Sequence, residues 1–405
     1  MKRFLRHYRR GVPLKDAMYR KSLGPAGRAR FTLLRLVRPV WHPVRRFVEI
    51  MHATRRWSGV ARAAGGAGAL GQFVQQIELA VRHGVRPSDY YLYMLYRPEN
   101  RAVADRFIYH HQMDVALKYL RELIDPSDIS NLGNKFTFFH FCRRHDLACI
   151  PILAHVDGDS IESIGEAGSA GPPDTDLFSK PVDMGEGKGA RMWSRTTGGK
   201  WTGSDNVPLD FDGVLDRLKA QSNSLGRAVI LQPKLSNHPS LEALTGSPSL
   251  CSVRMISMRL PSGEHAPLIA MICLPHGESI SSNFSGGNLG APIDLDTGEL
   301  GSARYKDSGT IMNDHASHPD SGSRISGFRL PDWKSAVDLV MRAHATLNDL
   351  PFVGWDVALT ADGPVLIEGN QGFGSESPQL AHLKPLGNTD FPDVYGWHVE
   401  RRTTS

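Results

Sequence analysis

FVGWDVALTADGPVLIEGNQGFG, Phe352 to Gly374, holds two short runs rich in apolar and β-branched residues, Val353–Thr360 and Pro364–Glu368, on either side of Ala361-Asp362-Gly363. Such a pattern predicts a β-hairpin closed by a three-residue turn that ends on glycine. With a side-chain period of two, Asp356 then faces Glu368 across the strands, and Asn370 follows on the same face. Two carboxylates at cross-strand distance repel each other and resist desolvation unless a cation lies between them. Hard oxygen donors of this kind suit Mg²⁺. Asp356, Glu368 and Asn370 are therefore the candidate metal ligands, although an exposed hairpin with ordinary surface acids fits the same letters.

The order Asp356, then Glu368-Gly-Asn370 at the end of the next strand, resembles the metal-binding hairpin of the ATP-grasp superfamily. More narrowly, GWDVALTADGPVLIEGN resembles the sugar-transfer-associated ATP-grasp family, and the likeness runs from Asn131 to about Gly374. One departure is visible: many relatives have a proline shortly after the asparagine, where this chain reads Asn370-Gln-Gly-Phe373-Gly374. The resemblance implies an α+β chain of the ATP-grasp fold, two subdomains clasping ATP, with a helical, basic N-terminal region added. It implies ATP and Mg²⁺ as cofactors and a ligase that joins a carboxylate to an amine through an acyl phosphate, in polysaccharide or cell-surface glycan modification. A phosphotransferase of the same fold, or a non-catalytic nucleotide-binding scaffold, remains the alternative.

The 405-residue chain is too long for one simple core, which argues for subdomains around a cleft. Its 40% hydrophobic and 22% charged residues are ordinary for a soluble globular protein. Cys142, Cys149, Cys251 and Cys273 form no CxxC pair and no disulfide framework, so a reducing cytoplasm is expected. No apolar run approaches the roughly 20 residues needed to span a bilayer, and the N-terminus lacks the apolar core of a secretory leader. The net charge of +5 hides an asymmetry: Met1–Trp57 holds 16 Lys/Arg against two acids, Asp16 and Glu49, leaving the remainder at −9.

This suggests a basic amphipathic arm over 1–57, a helical region over 58–130, a first lobe with a Gly-rich loop over 131–235, a second lobe with the metal hairpin over 236–380, and a C-terminal tail over 381–405. Within the arm, apolar residues such as Leu33, Val37, Val40, Phe47 and Met51 recur near helical spacing among arginines. Pro39 and Pro43 are expected to break the run into two short amphipathic pieces. Three partners stay open for it: the chain's own acidic body; an anionic membrane at the inner surface, where each basic residue contributes about 1 kcal/mol; and nucleic acid, given the least weight.

The remaining candidates follow in chain order. Lys135 stands at the start of a helix, and a strand is expected from Ile150 to His155. DLFSKPVDMGEGKGARMW, Asp176–Trp193, reads as a strand ending at Lys180 and a loop in which Gly185, Gly187 and Gly189 let backbone N–H groups approach an anion. The spacing is not that of a Walker loop. By resemblance Lys135 and Lys180 reach the nucleotide phosphates, with Lys188 a weaker candidate. Gln232, Lys234 and Leu235 lie where the family grips adenine, and Ser236 or Asn237 stands near the ribose. Arg254, between Val253 and Met255 on a strand, points to the opposite face from both and offers a planar fork to a phosphate or carboxylate. Asn283, in an Asn-x-x-x-Gly-Gly segment, meets Arg254 over the transferring phosphoryl group by the same resemblance. Asp294–Gly301 lacks the full ligand spacing of a calcium loop and reads as a turn. Lys306-Asp307 and His318 sit in segments without an assigned role, and an ordinary loop histidine is the plain reading of His318. The substrates, a carboxylate and an amine, are not named by these residues.

Overall fold

A computed structural model describes residues 1–405 apart from 23, 125–128, 165–173, 186, 278–283, 308–309, 312–313, 348 and 405. Two antiparallel sheets carry the architecture. The first contains β1 (Ala154–Asp157), β2 (Ser160–Ser163), β3 (Leu177–Pro181), β4 (Arg191–Arg195), β5 (Trp201–Thr202), β6 (Pro208–Leu209) and β7 (Val229–Pro233), ordered β2-β1-β7-β3-β4-β5-β6. The helix Phe211–Leu225 packs its Val214, Leu215 and Leu218 against Leu177, Trp193, Trp201 and Leu231 to close a small core. Asp210 starts that helix by accepting from the Gly213 amide at 2.9 Å.

The strand expected from Ile150 to His155 is displaced, because the segment before it is used elsewhere. The Ile150 amide donates to the Leu366 carbonyl at 3.3 Å and the Leu366 amide to the Ala148 carbonyl at 2.9 Å, so this stretch stitches the two sheets together. The chain joins its own sheet from Leu153, whose amide donates to the Leu231 carbonyl of β7 at 2.8 Å, and pairs as a strand from Ala154.

The second sheet contains β8 (Ser252–Arg259), β9 (His265–Leu274), β10 (Leu289–Ile293), β11 (Arg304–Asp307), β12 (Thr310–Ile311), β13 (Phe352–Thr360) and β14 (Gly363–Asn370), ordered β12-β11-β10-β9-β8-β13-β14. Its back is covered by the helix Trp333–Ala345, whose Ala336, Leu339, Val340 and Ala343 join Val353, Trp355 and Val357 in the main core. The hairpin of β13 and β14 differs in one respect from the expected three-residue turn. Thr360 pairs with Gly363, so Ala361 and Asp362 alone turn the chain, and a bulge between Asp356 and Val357 then shifts the register by one. The two differences cancel at the acids: Asp356 does face Glu368.

The ends of the chain are built into this body. The helix Lys2–Ser22 sinks Phe4, 0% exposed, against Phe391 and Tyr395 of the helix Phe391–Thr404. Arg3 and His7 reach Glu400, at 2.5 Å and 3.1 Å. Residues 381–405, expected as a tail, thus supply part of the main core through Phe391, Val394, Tyr395 and Val399. The next helix, Pro25–Ala63, runs without a break through Pro39 and Pro43, where two pieces were expected. A proline inside a helix removes one backbone hydrogen bond and can be carried when helix-forming residues continue on both sides. Its C-terminal half packs on the helix Ala69–His83, with Gln76 donating to Thr54 Oγ1 at 2.8 Å. An aromatic cluster, Tyr90 to Tyr96 with Phe107 and Tyr109, seats this helical region against Met271 and Cys273 of β9.

Candidate active site

Alternation along β13 sends Val353, Trp355 and Val357 into the core and leaves Gly354 and Asp356 on the opposite face. The buried side is pinned by a polar chain. Trp355 Nε1 donates to Ser257 Oγ at 2.8 Å, Ser257 Oγ lies 2.7 Å from His344 Nδ1, and His344 Nε2 donates to the Leu350 carbonyl at 2.8 Å. Register then places three charges in one row, because Asp356 pairs with Arg254 on β8 and with Glu368 on β14. Arg254 Nε and a terminal nitrogen donate to the two Asp356 oxygens at 2.5 and 2.9 Å, and Asn370 Nδ2 donates to Glu368 Oε1 at 3.0 Å. Gly354 lets the following loop return over the row: a Cβ there would meet Phe373 Cβ at 2.5 Å.

Burial pushes Asp356 up to about 7, against the pull of Arg254 and with help from Glu368. Burial also raises Glu368, but hydrogen bonds from Asn370 and Asp356, together with Lys135 and Lys180, hold it below its ordinary value. Asp356 and Glu368 therefore titrate as a pair, and Asp356 is the more readily protonated of the two.

Two lysines approach the row, one from the start of a helix and one from the first sheet. The helix Lys135–Arg144 is capped by Asn134, whose side chain accepts from the Phe136 amide at 2.8 Å. Lys135 Nζ donates to the Met184 carbonyl at 2.7 Å and stands 4.0 Å from Glu368. On β3, Leu177 and Ser179 turn inwards and Lys180 to the other side. Its ammonium has no hydrogen bond or ion pair among the described residues. Burial, then Lys135, bring its pKa down to about 8, with Glu368 and Asp356 opposing. After β3, Gly187 and Gly189 take positive φ of 71° and 73° in an exposed loop, as N–H groups presented to an anion require. A cavity of about 290 Å³ separates this loop from the hairpin, lined by Lys135, Met184, Gly185, Glu368, Asn370 and Arg121 among others.

The family profile described as sugar-transfer associated ATP-grasp matches residues 114–389, more than half of the chain. The chain belongs to that family. Its two-sheet α+β architecture is the ATP-grasp fold. No curated protein matches it. Solved structures to which it is similar include the ADP complex of an N5-carboxyaminoimidazole ribonucleotide synthetase, at 13% identity over 68% of this chain and 59% of that one, with a TM-score of 0.36. The chain thus spans less than two thirds of that synthetase. Others are the D-alanine-D-alanine ligase of Bacillus anthracis complexed with ATP (11%, 68% and 69%, TM-score 0.38) and D-alanyl-alanine synthetase A of Vibrio cholerae (12%, 69% and 68%, TM-score 0.41).

The ATP-grasp residues expected from the sequence fall into three groups. Lys135, Lys180, Gly185, Arg254, Asp356, Glu368 and Asn370 meet, through the cavity or through their charges. Gln232, Lys234 and Leu235 lie at the end of β7, away from the residues lining that cavity, with Gln232 buried opposite Phe178 and Lys234 Nζ 3.6 Å from Asp176. Asn283 lies outside the described residues. Asn237 is consumed by its own loop, donating to the Ser249 carbonyl at 2.8 Å and accepting from the Cys251 amide at 2.7 Å, so it is not available to a ribose. His318 is a buried structural residue: Nε2 donates to the Pro275 carbonyl at 2.8 Å and Nδ1 accepts from the Asp320 amide. The Asp294–Gly301 segment is a turn, closed by the Gly298 amide on the Asp294 carbonyl at 2.9 Å. Sequence reasoning missed Arg121 and the Met184 carbonyl. Nothing marks a carbonyl in a sequence, and one arginine closing an ordinary amphipathic helix resembles any other.

The residues present suit a metal-bound polyphosphate. No group of three or more His, Cys, Asp or Glu side chains placed to hold a metal ion occurs among the described residues; the candidate ligands are two acids and one amide. Arg254 occupies two of the four lone-pair directions of Asp356 and leaves two for a cation. The Lys180 ammonium, without a partner among the described residues, is the group a phosphate would satisfy.

Proposed function

We propose that this protein is an ATP- and Mg²⁺-dependent ligase that joins a carboxylate to an amine through an acyl phosphate, in the modification of a polysaccharide or other cell-surface glycan. One observation carries the reading: the row Arg254–Asp356–Glu368, flanked by Asn370, lies within charge range of two lysines, Lys180 from the other sheet and Lys135 from the start of a helix. Family membership agrees with it. Four free cysteines suit a cytoplasmic setting.

Asp356, Glu368 and Asn370 are the residues that would hold Mg²⁺, which when bound supplies positive charge against the phosphate oxygens. Lys180 and Lys135 bind and orient the phosphates, and the amides of the loop around Gly185–Gly189 cover them. Arg254, fixed by Asp356, presents its remaining N–H groups to the γ-phosphoryl group. A substrate carboxylate oxygen attacks the γ-phosphorus as the bond to the β-phosphate oxygen breaks, releasing ADP. An amine then attacks the acyl carbon, loses a proton and expels phosphate. Fixed cations in a closed site stabilise the spreading negative charge by several kcal/mol.

The acceptor would enter on the flank of Arg254. Met271 faces Arg254 across β8 and β9 and packs in the same cluster as Tyr93 and Tyr109. Nearby, Asp89 Oδ2, His111 Nδ1 and the Tyr93 hydroxyl are buried with no hydrogen-bond partner among the described residues, the first two 3.8 Å apart. Each such atom costs about 1–3 kcal/mol, which an amine- or hydroxyl-bearing substrate would recover.

Screening ADP release against paired amino acids and sugar acids tests the proposal. The ligase reading expects ADP and free phosphate only when carboxylate and amine are both present. Phosphate left on the acceptor would indicate a kinase, and turnover of neither substrate, indifferent to Asp356→Ala, a scaffold.

A further inference from the structure

The two basic helices at the N-terminus behave differently. Lys2–Ser22 buries Phe4 and His7 in the body, whereas Pro25–Ala63 and Ala69–His83 turn apolar residues outwards. On the first of these, Val44, Phe47, Val48 and Met51 recur at helical spacing and are all exposed. On the second, Leu70, Val74, Ile77 and Val81 do the same, with Leu70 78% and Val81 80% exposed, while Gln72, Gln76 and Leu79 on its other side are buried. Phe47 meets Phe73 edge to face at 5.5 Å, which joins the two stripes into one surface.

The charge around this surface is of one sign. Residues 43–84 contain six arginines and two acids, Glu49 and Glu78. Both acids are already paired, Glu49 with Arg45 and Arg46, Glu78 with Arg82. The stretch 25–42 of the same helix adds Arg28, Arg30, Arg35 and Arg38 and no acid. No helix among the described residues is long and apolar enough to cross a membrane, so the ribbon would lie along a surface.

We propose that the face made by Val44–Met51 and Leu70–Val81 docks on an anionic lipid surface, the apolar ribbon entering the headgroup boundary and the arginines meeting phosphates. A second copy of the chain fits less well, since an isologous contact would bring two arginine-rich rims together. Nucleic acid would satisfy the arginines but leave Leu70 and Val81 in water. The inference stands apart from the proposed activity, because none of these residues lines the candidate active site.

The test is flotation of the full chain with vesicles of phosphatidylcholine alone and of phosphatidylcholine with one quarter phosphatidylglycerol. The chain should float with the second and not the first. Leu70→Asp combined with Val81→Asp should weaken binding at least about tenfold, and Arg55→Glu or Arg62→Glu about fivefold each. All four positions are exposed, so thermal melting should not change. The proposal fails if the wild-type chain floats with neither vesicle, floats equally with both, or floats unchanged in the Leu70→Asp/Val81→Asp variant. It also fails if light scattering shows a dimer that this variant splits without any lipid binding, or if duplex DNA is bound where vesicles are not.

Discussion

The two sheets meet at the candidate site with opposite electrostatics. On the second, the charges are compensated internally: Arg254 holds Asp356 by two hydrogen bonds and Asn370 holds Glu368. On the first, Lys180 is half-buried with no hydrogen-bond or ion-pair partner among the described residues. One side is a finished network that must remain whole to be stable; the other is an unpaired charge that only a ligand completes.

The contrast can be broken most directly at Asp356. Asp356→Asn should abolish turnover and also destabilise the fold by about 3–5 kcal/mol, because it leaves the buried Arg254 uncompensated. Chemical denaturation measures this. An unaltered midpoint would mean that the pair is not buried as described. Lys180→Met should weaken nucleotide binding about a hundredfold while leaving the melting temperature unchanged or higher, since it removes an unpaired cation. Equal losses of stability in the two variants would erase the distinction between the sheets.

Titration sharpens the same comparison. Lys180, lowered to about 8, loses its positive charge as pH rises through that value, so nucleotide affinity measured without metal should fall on the alkaline side. Asp356, raised to about 7, is protonated below that pH, so Mg²⁺ affinity should fall on the acid side and binding should release a proton near neutrality. Calorimetry in buffers of different ionisation enthalpy counts that proton. The smallest expected effect lies off both sheets: Asp89→Asn should raise the acceptor KM about tenfold and leave nucleotide affinity alone.

How far the letters alone reached depends on distance along the chain. The acid pair was legible because it belongs to a hairpin, where alternation and a short loop settle which side chains face each other. Even there the turn length was misjudged, and the bulge at Asp356 restored the register by a route no local pattern announces. Pro39 and Pro43 marked a break that the helix does not make. The tail proved to be core because Phe391 and Tyr395 find Phe4 at the far end of the chain.

What the sequence by itself determined is local: the strand pattern, the glycine loop after Lys180, the helix start at Lys135 and the clustering of basic charge before Trp57. Tertiary structure alone decided the partners. Arg254 meets Asp356 across 102 positions, and the buried polar atoms of Asp89 and Tyr93 become a feature only when the helical region covers β9. The reason is physical. A backbone preference acts over a few residues and can be read there, whereas burial and Coulomb energy depend on which surfaces close over a side chain, and chain order does not encode those surfaces locally.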